Sequence, residues 1–425
     1  MEPVDEIPLA RSLPRASFTD EAQFAREREA ALFADWFCAG RSESLPGPGD
    51  YLTADVAGES ILIRRTARGG LAASYNVCRH RGSRLVPAQP GQPAADFGPS
   101  GRFGRAIRCP YHGWTYGLEG QLRTAPFLAS DLRAHKKRLG LHPVQAGEWG
   151  GFVFIRLGPA PREDQAGGAV TVADAGPSLA DWLGEVPGRL ARYPLERLRA
   201  ARRLVYPVAA NWKVIVENYN ECYHCGPVHP ELCELVPAFR GGGSGLDWDD
   251  GVPQRPGTFT FTRSGVSDRA PFPGLSAAER TRHKGELLLP NLMLSLSADH
   301  VAAFTLWPQA AQRTTVVCDF LFAPEEMARP GFDPSDAVGF WDLVNRQDWR
   351  ICEQVQDGMT SRAFTAGYLA PMEEPSADVT RYIQRRLGGQ DPPKTRPGRS
   401  GQDGLGGPGG PDGQQRPDRP EGSAR

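Results

Sequence analysis

The sequence predicts an α+β protein: a small all-β domain followed by a larger domain of mixed helix and strand. Three observations carry this. Between residues 51 and 157 the chain is a series of short apolar or alternating runs, YLTADVAG, SILIRRT, LAASYNV and GGFVFIRL, parted by Gly and polar turns, which is the texture of a compact β domain. Further on, residues 211–225 and the run FWDLVNRQDWRICEQVQDG repeat apolar residues with helical period. The strand-like runs TFTFTR and LPNLMLSLSADH stand between them.

Taken in chain order, residues 19–36 read as a helix with Thr19 or Asp20 as cap and Phe24, Leu32, Phe33 and Trp36 as its apolar contacts. This places an N-terminal helical segment at 1–45 and the β domain at 46–160. Within the β domain, the Pro/Gly-rich residues 90–105 read as a surface loop. Residues 158–173 read as a linker to the second domain, 174–387. Residues 388–425 hold almost no apolar side chains and cannot bury enough surface to fold, so a disordered tail is expected.

Composition bounds the function. The 425 residues carry 49 Lys and Arg against 50 Asp and Glu, a formal net charge of −1. Neither a nucleic-acid footprint nor an attraction to an anionic membrane follows from that balance. No apolar run is long enough to span a bilayer, and the N-terminus lacks a signal core. Eight cysteines in a chain of this length, grouped with histidines, suggest metal chemistry in a reducing cytoplasm.

Cys78-x-His80 and Cys109-x2-His112 form two Cys-His pairs, each following a strand-like run. Two thiolates and two imidazoles suit tetrahedral zinc or a Rieske [2Fe–2S] centre, in which histidines replace cysteines on one iron. A Cys78–Cys109 disulfide is a third reading. The flanks favour the Rieske centre. Arg79, Arg81 and Gly82 follow the first pair and Pro110, Gly113, Trp114, Tyr116 and Gly120 the second, which suits two tight loops whose N–H groups face sulfur.

A second constellation lies in NWKVIVENYNECYHCGPVHPEL. Read as a helix over 211–225, it sets Trp212, Tyr219 and Tyr223 on an apolar stripe and makes Glu221 and His224 neighbours. Gly226-Pro227 would stop the helix and let His229 fold back toward His224. Two histidines and one carboxylate can hold Fe(II) on one face and leave the other open. Asp348 is the candidate carboxylate, because it shares the stripe of Trp341, Val344, Ile351, Cys352 and Val355, whereas Asp342, Glu353 and Asp357 read as solvated. A zinc cluster of Cys222, Cys225, His224 and His229, plain core packing, or a buried salt bridge at Asp348 are the competing readings.

The motifs C-x-H, C-P-Y-H-G-W, E-x2-H-x4-H and Q-D-x4-E-x2-Q-x-G, in this order over residues 10–385, resemble the α subunits of Rieske non-haem iron oxygenases. The resemblance implies that Cys78, His80, Cys109 and His112 ligate the cluster and that His224, His229 and Asp348 hold the catalytic iron. It also implies that Glu221 bridges His224 to a cluster histidine of a neighbouring subunit. A helix-grip catalytic domain and a homotrimer are implied with it. Twenty-eight residues lie between His80 and Cys109, more than is usual for that family, which reads as an insertion in the 90–105 loop.

The N-terminal half and the E-C-Y-H-C form of the iron motif are similar to the subgroup acting on quaternary ammonium compounds such as glycine betaine, carnitine or stachydrine. The implied reaction is O2 activation with electrons from a separate NAD(P)H-dependent reductase. No GxGxxG opens a βαβ unit here to bind nicotinamide. Phe259, Phe261, Phe304 and Trp307 are either an aromatic cage for a methylammonium group or ordinary strand core. An aromatic-ring dioxygenase, a pure Rieske electron carrier and a zinc-stabilised binding protein are the alternatives.

Overall fold

The computed structural model describes residues 10–87, 98–128, 138–160, 176–243 and 246–388. The expected linker beyond residue 160 and the expected disorder of the C-terminal tail beyond 388 lie outside these residues. Two antiparallel sheets organise the rest. Strands are numbered in chain order.

The first sheet joins β2 (Phe37–Arg41), β3 (Asp50–Val56), β4 (Glu59–Arg65), β5 (Leu71–Tyr75), β6 (Gly98–Arg102), β10 (Pro143–Trp149) and β11 (Phe152–Arg156) in the order β2-β11-β10-β5-β4-β3-β6. The four runs read as strands from the sequence are strands here, and β11 is buried at every position, on both faces of the sheet. Part of the predicted 90–105 loop is strand: β6 pairs with β3. A three-stranded ribbon of β7 (Ile107–Arg108), β8 (Thr115–Tyr116) and β9 (Leu122–Thr124) carries the second Cys-His loop.

The second sheet is built from β12 (Arg199–Val208), β13 (Val252–Pro253), β14 (Arg282–Leu288), β15 (Leu292–Leu296), β16 (Val301–Ala310) and β17 (Arg313–Phe322), in the order β12-β17-β16-β15-β14-β13. Helix Ser335–Met359 lies against it. Its Phe340, Trp341 and Val344 share one core with Phe304, Leu306 and Val316 of the sheet. This sheet gripping a long helix is the expected helix-grip arrangement, and the mixed α+β class holds. TFTFTR is not a strand. It forms an irregular loop in which two of the three Thr side chains are anchored, Thr260 to Asp299 and Thr262 to the Val266 carbonyl.

The N-terminal segment is less helical than expected. β1 (Ala10–Pro14) pairs with β18 (Ala366–Leu369) at the far end of the chain, and β2 belongs to the first sheet. Between them runs helix Glu21–Glu27, capped by the Asp20 side chain accepting from the Gln23 N–H, followed by one π-helical turn, Arg28–Leu32. The two sheets are tied by Asn291. Its side chain accepts from the Cys38 N–H at 2.8 Å and donates to the Cys38 carbonyl at 2.9 Å. Both backbone groups of a buried strand position are thereby satisfied.

Candidate metal centres and the cavity between sheet and helix

The two Cys-His loops repeat one backbone design. Cys78 N–H donates to the Ser83 carbonyl and Gly82 N–H to the Cys78 carbonyl, at 2.8 and 3.1 Å; Cys109 N–H donates to Trp114 and Gly113 N–H to Cys109, at 2.8 and 3.2 Å. Gly82 and Gly113 both sit at φ 72°, where a side chain is strained. The loops thus bring both thiols inward and both imidazoles outward. Cys78 and Cys109 are buried and His80 and His112 exposed, with ring centroids 4.7 Å apart. Trp114 stacks on His80 at 4.8 Å.

Donors surround the sulfurs. The Tyr116 hydroxyl lies 3.2 Å from Cys78 Sγ while accepting from the Arg79 N–H, so its own proton faces sulfur. Backbone N–H groups of His80 and of Tyr111 and His112 face the two sulfurs, and the Ser83 hydroxyl faces Cys109. The set fits a two-iron cluster, sulfur ligands on one side and imidazoles on the other. The four side chains do not gather around one point as a tetrahedral ion demands, and no disulfide joins the cysteines. The sequence singled out Tyr116 only as a loop flank; its thiol bond depends on β8 passing behind Cys78.

The helix predicted over 211–225 is broken. It runs Trp212–Tyr219, with the Asn211 side chain capping Lys213 N–H. A turn follows, then a short helix Cys225–Val228 that contains Gly226-Pro227. Glu221 makes the break: its carboxylate accepts from the N–H groups of Tyr223 and His224, a local side-chain bond that competes with the helical one. Tyr223 is consequently exposed. Glu221 and His224 are still neighbours, Oε1 to Nδ1 2.6 Å, through the turn and not along a helix face.

His229 is buried, and its Nδ1 lies 2.8 Å from Gln347 Oε1. Gln347 Nε2 donates to Glu231 at 3.0 Å, which orients the amide and makes His229 Nδ1 the protonated nitrogen. Both histidines therefore turn Nε2 inward. Asp348 Oδ1 lies 2.8 Å from His229 Nε2 and 3.3 Å from His224 Nε2. The three ligand atoms fall within 4.8 Å of one another. Burial alone would push the His224 imidazole down, but its bonds to Asp348, Cys225 and Glu221 win and lift it to about 12. Burial would raise Asp348, and the two histidines hold it below the ordinary carboxylate range. This donor set with its charge fits a mononuclear divalent iron. Cys222 and Cys225 are not part of the group, which corrects the zinc-cluster alternative.

Helix Ser335–Met359 presents Trp341, Val344, Trp349 and Cys352 inward. Val355, expected on that stripe, is exposed. Asp342 and Glu353, expected to be solvated, accept from the Tyr206 hydroxyl and the Ala209 N–H, because strand β12 runs over that flank of the helix. The triad opens into a cavity whose walls include Tyr219, Phe261, His283, Phe304 and Trp341. Of the four aromatics named from sequence, Phe261 and Phe304 reach it. Phe259 packs in another core and Trp307 packs edge-on to Phe37. His283 was not legible as a site residue, since nothing near it in sequence bears chemistry.

Comparison with known proteins matches both parts of the chain to known families. Residues 35–139 match the Rieske [2Fe-2S] domain and residues 195–389 the ring hydroxylating alpha subunit (catalytic domain). The glycine betaine monooxygenase oxygenase subunit of Pseudomonas aeruginosa is 28% identical over 84% of each chain. The carnitine monooxygenase oxygenase subunit of Acinetobacter baumannii is 30% identical over 84% of this chain and 87% of its own. A solved quaternary ammonium Rieske monooxygenase, CntA with L-carnitine, superposes with a TM-score of 0.64 at 26% identity, covering 89% of this chain and 96% of that one. Naphthalene 1,2-dioxygenase, 21% identical with a TM-score of 0.62, shares the fold.

Proposed function

The chain belongs to the Rieske non-haem iron oxygenases, and on that premise we propose that it oxidatively demethylates a small methylammonium compound. The observation that carries this is the cavity: an iron-type triad at one end, walls that include Tyr219, Phe261, Phe304 and Trp341, and no lysine or arginine among the described lining residues. Such walls attract a cation through ring faces. The overall change is insertion of one oxygen atom of O2 into an N-methyl C–H bond. Two electrons and two protons reduce the other atom to water, and the hydroxymethyl group leaves as formaldehyde.

We assign Cys78, His80, Cys109 and His112 to the [2Fe–2S] cluster and His224, His229 and Asp348 to the iron. When bound, these groups supply single-electron transfer and reductive activation of O2. Glu221 holds His224 by Nδ1 and serves as the bridge toward a cluster histidine of a second subunit. The uncovered His80 and His112 of one chain support this, and the CntA work describes inter-subunit electron transfer in that protein. A homotrimer and a separate NAD(P)H-dependent reductase follow from the same reading. Domain limits at 46–160 and 174–387 are the working boundaries, and eight buried, unpaired cysteines support a reducing cytoplasm.

The test is oxygen and NADH consumption with a surrogate reductase, across glycine betaine, carnitine, choline and simple aromatic acids. Formaldehyde released with a methylammonium compound supports the proposal. Turnover confined to the aromatic acids overturns it in favour of a ring dioxygenase. Electron transfer with no oxygen consumption on any of them leaves only a carrier.

A further inference from the structure

Trp341 reaches the cavity from helix Ser335–Met359 and is buried. It precedes Asp348 by seven residues on that helix, about 10 Å along the axis. Helical side chains lean toward the N-terminus, so the indole closes the end of the cavity remote from the triad. Phe261 and Phe304 pack around it, with ring centroids at 5.2 and 6.0 Å. A substrate whose N-methyl group reaches the triad has to fit between the triad and this ring.

The indole is held from behind. Its Nε1–H donates to His300 Nε2 at 3.1 Å. An indole nitrogen only donates, so Nε2 is the acceptor and the His300 proton sits on Nδ1, 2.7 Å from Asp299 Oδ1. Asp299 is fixed in turn: its Oδ2 accepts from the Ser267 hydroxyl at 2.8 Å and from Arg269 Nε at 2.9 Å. Arg269 then forks onto Asp336 at 2.8 and 3.0 Å. Asp336 stands five residues before Trp341 on the same helix, so the chain of bonds leaves the helix at Asp336 and returns to it at Trp341. His300, Asp299 and Arg269 are buried, and none of them is among the described residues lining the cavity.

The Nε1–H of Trp341 is thereby used behind the wall, and the indole offers the cavity carbon only. It presents a guest with bulk and a ring surface but no hydrogen bond. The torsion that turns an aromatic ring about its Cβ–Cγ bond is broad and two-fold, so the bond to His300 selects one setting of the ring. We infer that Trp341 is the end wall that limits how long a methylammonium substrate can be, and that His300 is the positioning residue that keeps the wall in place.

This rests on the demethylase reading, and the test separates the two. Ethyltrimethylammonium, butyltrimethylammonium and octyltrimethylammonium share one reacting group and differ only in the length of an uncharged tail. Formaldehyde release gives kcat/KM for each, and the ratio of the ethyl to the octyl compound cancels differences in active enzyme between variants. Each variant is checked for an intact cluster spectrum. The wild-type ratio should be roughly tenfold or more. His300→Leu frees the ring and should cut that ratio about tenfold, and Trp341→Leu, which removes the wall, at least as much. His300→Gln can donate to Asp299 and accept from Trp341, so it should keep the ratio within about twofold. Added to Trp341→Leu, His300→Leu should change the ratio by less than about twofold, as expected of a residue that acts through its neighbour.

Equal turnover of the ethyl and octyl compounds by the wild type, or an unchanged ratio in Trp341→Leu, overturns the end wall. A His300→Leu enzyme that is slower on all three compounds at the wild-type ratio overturns the positioning role. Should His300→Leu not fold, a ratio lost in His300→Gln overturns that role instead. Absence of formaldehyde from these three and from glycine betaine, carnitine and choline overturns the demethylase reading itself.

Discussion

His229 and Gln347 are joined by a 2.8 Å hydrogen bond from Nδ1 to Oε1, one residue before the carboxylate that faces the other nitrogen of the same ring. The bond settles which nitrogen of His229 is free. Gln347→Leu should therefore leave the ring without its tautomer partner and lower iron affinity about 10- to 100-fold. Iron titration of the apoprotein measures this, with the cluster's visible spectrum unchanged. Unaltered iron affinity would show that packing alone holds the ring.

The buried Tyr116 hydroxyl lies 3.2 Å from Cys78 sulfur, and against a thiolate it is the donor. A hydrogen bond to a charged acceptor is worth about 1.5 kcal/mol, equivalent to roughly 60 mV for a one-electron couple. Tyr116→Phe should lower the cluster potential by up to that order, because losing a donor destabilises the more electron-rich reduced form more than the oxidised one. Redox titration followed by visible absorption reads it, and an unchanged potential rejects the assignment.

Glu217 lies on the helix that precedes Glu221, and its Oε1 has no hydrogen-bond partner among the described residues. Burial lifts its carboxyl to about 8 against the pull of Lys213. An unfolded Glu titrates near ~4.3, so the folded state keeps a proton that the unfolded chain releases. Stability therefore falls as pH rises from about 4 to 8, and the loss is complete above that window. Glu217→Gln should raise the denaturation midpoint more at pH ~9 than at pH ~6. An equal effect at both would mean the carboxyl titrates normally.

Lys213 and Glu27 form a salt bridge with both side chains at 0% exposure. It links the N-terminal helix Glu21–Glu27 to helix Trp212–Tyr219, which leads to His224. Removing one partner strands a buried charge, a loss of about 3–5 kcal/mol. Glu27→Gln should show that loss in chemical denaturation. The double change Glu27→Leu with Lys213→Met should recover most of it, since the pair's desolvation then disappears as well. A double variant no better than the single one would point to lost packing instead.

The sequence by itself determined four strands of the first sheet and the two Cys-His loops, and it proposed His224, His229 and Asp348 as one ligand group, which the fold brings within 4.8 Å of one another. These follow from short-range rules: alternation buries one face of a strand, Gly and Pro shape a loop, and a carboxylate on an apolar helix stripe needs a partner. The helix break at Glu221 escaped the periodic reading because a side chain, not the backbone pattern, captured the next N–H groups. Tertiary structure alone decided that Phe261 and Phe304 face the cavity while Phe259 and Trp307 do not. It brought Gln347 to His229 across 118 residues, and it left His283 unpaired beside the aromatic wall. Period and spacing report which residues are buried. Which of them share a cavity depends on how the gripped helix and the curved sheet close on each other, and that is set by packing between segments far apart in the chain.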